Sequence, residues 1–156
     1  LFGKRRVKSR AMKEEELHDL LPEGDVQYLR EKQLLESVAV LRVDREIHVI
    51  FRNYALPSDN YSPSITDLLV RLIPPYPNSN PDMFWTFPVV RLKNGNFPIQ
   101  AQVFQVPAPA QFNTVYNNVE WQRWSRHFQN SRLWRPGIDG LRTYMASVRN
   151  ELAKGR

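Results

Sequence analysis

Four prolines within eight residues, Pro74, Pro75, Pro77 and Pro81, cut the chain near its middle. Each lacks a backbone donor and pushes its predecessor out of the helical region, so neither a helix nor an interior strand crosses this stretch. Regular structure must stop before Pro74 and resume after Pro81. Upstream, the pattern alternates. Ser37–Val43 carries Val38, Val40 and Leu41, and Glu46–Arg52 sets Ile47, Val49 and Phe51 against Glu46, His48 and Ile50. This period of two predicts strands, and the Asp44-Arg45 pair between them is short enough for a tight hairpin. Asn53–Pro63 reads as a loop, and Asp67–Ile73 as a third strand with Leu68, Val70 and Leu72 on one side. Before the strands, Glu14–Leu21 predicts a short helix that stops at Pro22. Asp25 is the expected N-cap of a second helix through Val26, Leu29, Gln33 and Leu34.

Beyond the prolines, Phe84, Trp85 and Phe87 offer large apolar surfaces to a core. Asn94-Gly95 is a turn signal, predicting a hairpin between Val89–Lys93 and Phe97–Val106. Residues 107–119 show little periodicity. The last stretch does: Ile138, Leu141, Met145, Val148 and Leu152 form one apolar helical stripe. Asp139 suits its positive end, and Arg149 and Lys154 the other. Helix, antiparallel strands, a long irregular segment and a helix make an α+β arrangement, with helices segregated from the sheet. At 156 residues the chain suits one domain. Residues 1–20 read as a basic arm or linker and 21–156 as the domain.

The chain has no cysteine, which excludes disulfides, thiolate metal sites and a thiol nucleophile. His18, His48 and His127 show no ligand spacing, so no metal is expected, and no cofactor motif is present. No apolar run is long enough for a membrane span, and Leu1–Arg10 lacks the apolar stretch of a secretion signal, so a cytoplasmic location is expected, without membrane association. The net charge of +6 is uneven: Lys4, Arg5, Arg6, Lys8, Arg10 and Lys13 crowd the start. That arm reads either as solvated chain or as a dock for an acidic partner. Elsewhere the charges are mixed, with no basic stripe interleaved with stacking aromatics, which argues against nucleic-acid binding.

Three features in series resemble the ubiquitin-conjugating (UBC) family. Tyr61 stands in a loop before a strand that runs through Leu72-Ile73-Pro74-Pro75 into Tyr76-Pro77-Asn78-Ser79-Asn80-Pro81, similar to the family's Tyr-Pro signature with its final proline kept. Trp134-Arg135-Pro136 leads into the last helix, like the family's Trp-x-Pro element. The order also matches, over roughly residues 25–153. Leu21-Pro22-Glu23-Gly24-Asp25, Phe84-Trp85 and Trp121–His127 resemble the divergent prokaryotic branch. The resemblance implies a UBC-like fold: an antiparallel meander sheet flanked by N-terminal and C-terminal helices. It implies as partners a ubiquitin-like protein, an adenylating activating enzyme and a modified protein target.

In that family a nucleophilic cysteine lies a short way before the Trp of Trp-x-Pro. The matching window here is Trp124–His127, with Ser125 nine residues before Trp134 and no cysteine. The family's His-Pro-Asn element is absent. Asn117 lies eight residues before Ser125, where the family's oxyanion-stabilising asparagine would fall, with Asn113 and Asn118 nearby. A serine hydroxyl is far less acidic than a thiol and needs an adjacent base. His127 is two residues on, and on extended chain the two side chains share a face; on a helix they do not. Arg123 or Arg126 would add positive potential near a developing oxyanion. Trp121 and Trp124 are candidate walls of a groove for a C-terminal tail. Three functional readings stay open: an acyl carrier holding a ubiquitin-like protein as a Ser125 oxyester, an inactive UBC-fold binding module or scaffold, and a nucleic-acid-associated protein using the arm. Ser125 is either the natural residue or a replacement of cysteine.

Overall fold

A computed structural model of the protein describes residues 14–107, 119–125 and 133–156. The Asp44-Arg45 turn forms as its sequence requires. Asp44 takes φ 54°, in the left-handed region that short Asx side chains tolerate. It joins β1 (Val38–Val43) to β2 (Glu46–Ala55), with Val40 opposite Val49. After the two-residue β3 (Tyr61–Ser62), β4 (Ile65–Leu72) returns along β2. The proline-rich crossing follows, and then β5 (Phe84–Phe87) pairs with β4. Later strands are β6 (Arg91–Leu92), β7 (Val103–Gln105) and β8 (Trp121–Trp124). The main sheet runs β1-β2-β4-β5-β8-β7, antiparallel at every pairing, and β3 with β6 makes a small second sheet. Among the described residues three helices accompany it: α1 (Glu14–His18), α2 (Glu23–Glu31) and α3 (Leu141–Ala153). The architecture is the α+β, UBC-like one.

Alternation along the strands divides the buried side chains between two faces. Val49, Phe51, Leu68, Val70, Phe84 and Trp124 pack toward Leu17, Val26, Leu29, Leu141, Val148 and Leu152 of the helices. Ala39, Ile50, Leu69, Trp85 and Trp121 cluster on the other face. Among the described residues, no helix is long and apolar enough to cross a membrane.

Four local expectations are corrected. The Asn94-Gly95 turn closes, with Gly95 at φ 88° and its N–H donating to the Leu92 carbonyl at 2.9 Å. Its arms do not pair, however: Arg91–Leu92 pairs with Tyr61–Ser62, and Val103–Gln105 with β8. Pro98 has no donor for a ladder just past the turn. The basic arm ends earlier than residue 20, because Leu17 is fully buried in the main core and Glu14 pairs with Arg30 of α2. The second helix stops at Glu31, where Gln33 turns into the left-handed region at φ 57°. Ile138 is 70% exposed, since the Arg135–Ile138 turn, with Gly137 at φ 80°, precedes a helix that starts only at Leu141. Residues 1–13, and with them all six lysines and arginines of the arm, lie outside the described residues.

Candidate functional site

The segment Trp121-Gln122-Arg123-Trp124 becomes the strand β8, inserted between β5 and β7. Residues three apart on a strand point to opposite faces. Trp124 accordingly joins the helix side, stacked on Phe84 (5.4 Å between centroids, 13°) and met edge-on by Tyr61 (6.2 Å, 80°). Its indole N–H donates to the Thr86 hydroxyl at 2.9 Å. Trp121 joins Trp85 on the other side and lies 5.8 Å from Phe87. Both indoles are 2% exposed. The expectation that Trp121 and Trp124 wall one groove is therefore corrected: they are interior anchors on opposite faces of the sheet.

Between them Gln122, 1% exposed, is saturated with hydrogen bonds. Its Nε2 donates to the carbonyls of Val90 (2.8 Å) and Ala101 (2.9 Å). Its Oε1 accepts from the Val90 N–H (2.8 Å) and the Thr86 hydroxyl (3.0 Å). One side-chain amide thus replaces ladder bonds that the irregular segments around Val90 and Ala101 do not make with each other, as buried backbone groups require. The consequence reaches the candidate nucleophile. Ser125 is the first residue past β8, half-buried, and its backbone N–H donates to the Gln100 carbonyl at 2.9 Å, beside the Ala101 clamp. Alternation continued by one residue sets it on the face of Arg123, whose guanidinium donates to Gln105 Oε1 at 3.4 Å. Asn117, Arg126 and His127 lie outside the described residues, as do Asn113 and Asn118.

A second constellation joins α2, the proline-rich crossing and α3. Asp25 does not cap its own helix. It is the third residue of α2, and its buried carboxylate reaches across to α3, accepting the Leu141 N–H (2.9 Å) and the Tyr76 phenol (2.5 Å). A carboxylate at a helix N-terminus satisfies an orphan donor and meets the positive end of the dipole. Burial pushes the Asp25 carboxyl above the usual carboxylate range, against both hydrogen bonds. Burial, followed by the Asp25 charge, pushes the Tyr76 phenol far up, so it stays a donor. The two signature motifs also touch. Trp134 donates its indole N–H to the Pro77 carbonyl at 2.9 Å, with the Tyr76 and Trp134 rings 6.4 Å apart. Pro81 is buried, Pro136 exposed, and the Tyr144 phenol ties α3 to the Asp82 carbonyl at 2.8 Å.

Gly140 sits under this network. A Cβ there would lie 2.5 Å from Asp25 Oδ1. Gly140→Ala should therefore displace the carboxylate and cost about 1–3 kcal/mol, the usual range for overpacking. Urea denaturation checks it, and an unchanged midpoint would show that the carboxylate has room to move. Sequence reasoning missed the roles of Gln122 and Gly140. The one signal for Gln122 is a polar residue between two tryptophans on a strand, at a position whose parity is that of the buried Trp124. Among the described residues, no group of three or more His, Asp or Glu is placed to hold a metal ion.

The family described as prokaryotic E2 family E matches residues 21–155, nearly the whole chain. No curated protein and no solved structure gives a significant match. The match begins just before α2 and ends after α3, so it takes in the Asp25–Tyr76–Leu141 network, β8 and Ser125 together. The chain belongs to prokaryotic E2 family E, a prokaryotic family of the ubiquitin-conjugating-enzyme type.

Proposed function

We propose that this protein is the conjugating component of a ubiquitin-like modification pathway and carries its cargo as an oxyester on Ser125. Family membership supports a conjugating role in general. The observation that supports the finer reading is the placement of Ser125, at the end of a strand fixed by Gln122 and partly open to solvent. In the transfer, Ser125 Oγ attacks the thioester carbonyl that an adenylating activating enzyme presents. The new C–O bond forms as the C–S bond breaks, the thiolate leaves, and the hydroxyl proton passes to a base, for which His127 is the candidate. Asn117, with Arg123 or Arg126, is the candidate oxyanion support. An oxyester reacts more slowly with amines than a thioester does, so the onward acceptor is either a hydroxyl or an amine activated locally.

The absence of cysteine favours a second reading, a scaffold that binds the ubiquitin-like protein or the activating enzyme without a covalent step. Incubation with the cognate activating enzyme, ubiquitin-like protein and ATP separates the two by intact-mass analysis. The carrier reading expects a hydroxide-labile adduct that vanishes in Ser125→Ala. An adduct that survives Ser125→Ala removes Ser125 from the role. Binding with no adduct supports the scaffold.

A further inference from the structure

Away from β8, α2 and α3 leave a recess of about 470 Å³ between them, backed by the end of β2. Its floor is apolar, from Leu34, Met145 and Ala146, and its rim is cationic, from Lys32, Arg142 and Arg149. Arg142 and Arg149 are seven residues apart with Met145 and Ala146 between them, which puts all four on one face of α3. Two phenols complete it. Arg142 lies 5.3 Å from the Tyr28 ring centre, and Arg149 is within hydrogen-bonding reach of Tyr54. The carboxylate engaged at the rim is Glu31, which binds Arg142 at 2.5 Å, so the three cations outnumber it.

The spacing tells what kind of anion fits. Seven residues of helix separate Arg142 from Arg149 by about 10 Å along the axis. A single phosphate calls for converging donors, which these are not. An extended chain rises about 3.3 Å per residue and keeps every second side chain on one face, so carboxylates four residues apart share a face and span about 13 Å, within reach of the two long arginine side chains. An apolar residue midway between such carboxylates, two positions from each, lies on the same face and would meet Leu34, Met145 and Ala146. We propose that the recess between α2 and α3 docks an extended acidic peptide segment of a protein partner, one whose facing side, every second residue, presents carboxylate, apolar and carboxylate in turn. This surface is separate from Ser125 and does not depend on the chemistry there.

The test uses the full chain and a blocked peptide in which glutamate and leucine take turns at every second position with serine between them, with binding followed by fluorescence anisotropy. A glutamine-for-glutamate peptide, inorganic phosphate and phosphatidylserine vesicles are the comparison ligands. Binding should weaken about tenfold in the Lys32→Glu, Arg149→Glu double variant and again at high salt, as charge-directed contacts do. Arg45→Glu, on the distant β1–β2 turn, should change nothing, and urea midpoints show that each variant is folded. Equal binding by the double variant or by the glutamine peptide overturns the proposal. So does displacement of the peptide by low concentrations of phosphate, or cation-dependent vesicle binding without peptide binding.

Discussion

Gln122→Leu should lower the stability of the fold by about 4 kcal/mol, a large part of what a domain of this size holds. The leucine keeps the volume and adds apolar surface, yet it leaves the Val90 N–H and the Val90 and Ala101 carbonyls without their partner. Each orphaned buried group costs about 1–3 kcal/mol. The Thr86 hydroxyl loses an acceptor as well, though it still receives the Trp124 indole N–H. Urea denaturation reads the effect as a lower midpoint at constant slope. A change below about 1 kcal/mol would mean that these segments find other partners, and that Gln122 is not what fixes β8. The substitution should also loosen the Ser125 to Gln100 bond next to it, so reactivity at position 125 should fall even where the protein remains folded.

Asp25→Ala should cost about 3 kcal/mol, because it removes the cap of α3 and strands both the Leu141 N–H and the Tyr76 phenol in a buried site. Asp25→Asn keeps an acceptor and should cost less. The two variants differ usefully in pH dependence. The Asp25 carboxyl is raised by burial in the folded protein, so the folded state holds its proton where the unfolded chain, near the ordinary value of about 3.9, has released it. Its contribution is therefore fully present below that value and is lost as pH rises through the higher folded value. The stability advantage of the unaltered protein over Asp25→Asn should shrink with rising pH when urea midpoints are measured across the acid range. An advantage that grows with pH would mean the hydrogen bonds outweigh burial and that the shift has the opposite sign.

The two networks also mark what the sequence could and could not reveal. The strand alternation through Val49 and Val70, the stop at Pro74 and the stripe through Leu141, Val148 and Leu152 were readable, because each depends on neighbours along the chain. The order of Tyr76-Pro77 and Trp134-x-Pro136 pointed to the family, and the structure adds the reason for their pairing: Trp134 bonds Pro77 directly. Asp25 is different. Its cap lies 116 residues away on α3, a partner no local rule selects, and the expectation of a cap on its own helix followed from local rules alone. The insertion of β8 between β5 and β7 is equally non-local, since β7 ends at Gln105 and β8 begins only at Trp121. Without that pairing Trp121 and Trp124 read as walls of one groove beside the candidate site. With it they are anchors on opposite faces.

The central claim is that position 125 is where this family member carries its acyl group. Ser125→Cys tests it most directly, because a cysteine at the right place attacks a thioester without an added base. Mixed with the activating enzyme, the ubiquitin-like protein and ATP, Ser125→Cys should give an adduct cleaved by dithiothreitol, while the adduct of the unaltered protein resists dithiothreitol and yields to hydroxide. If Ser125→Cys instead forms no reducible adduct while still folded and still binding the ubiquitin-like protein, position 125 is not the carrier site and the account is contradicted.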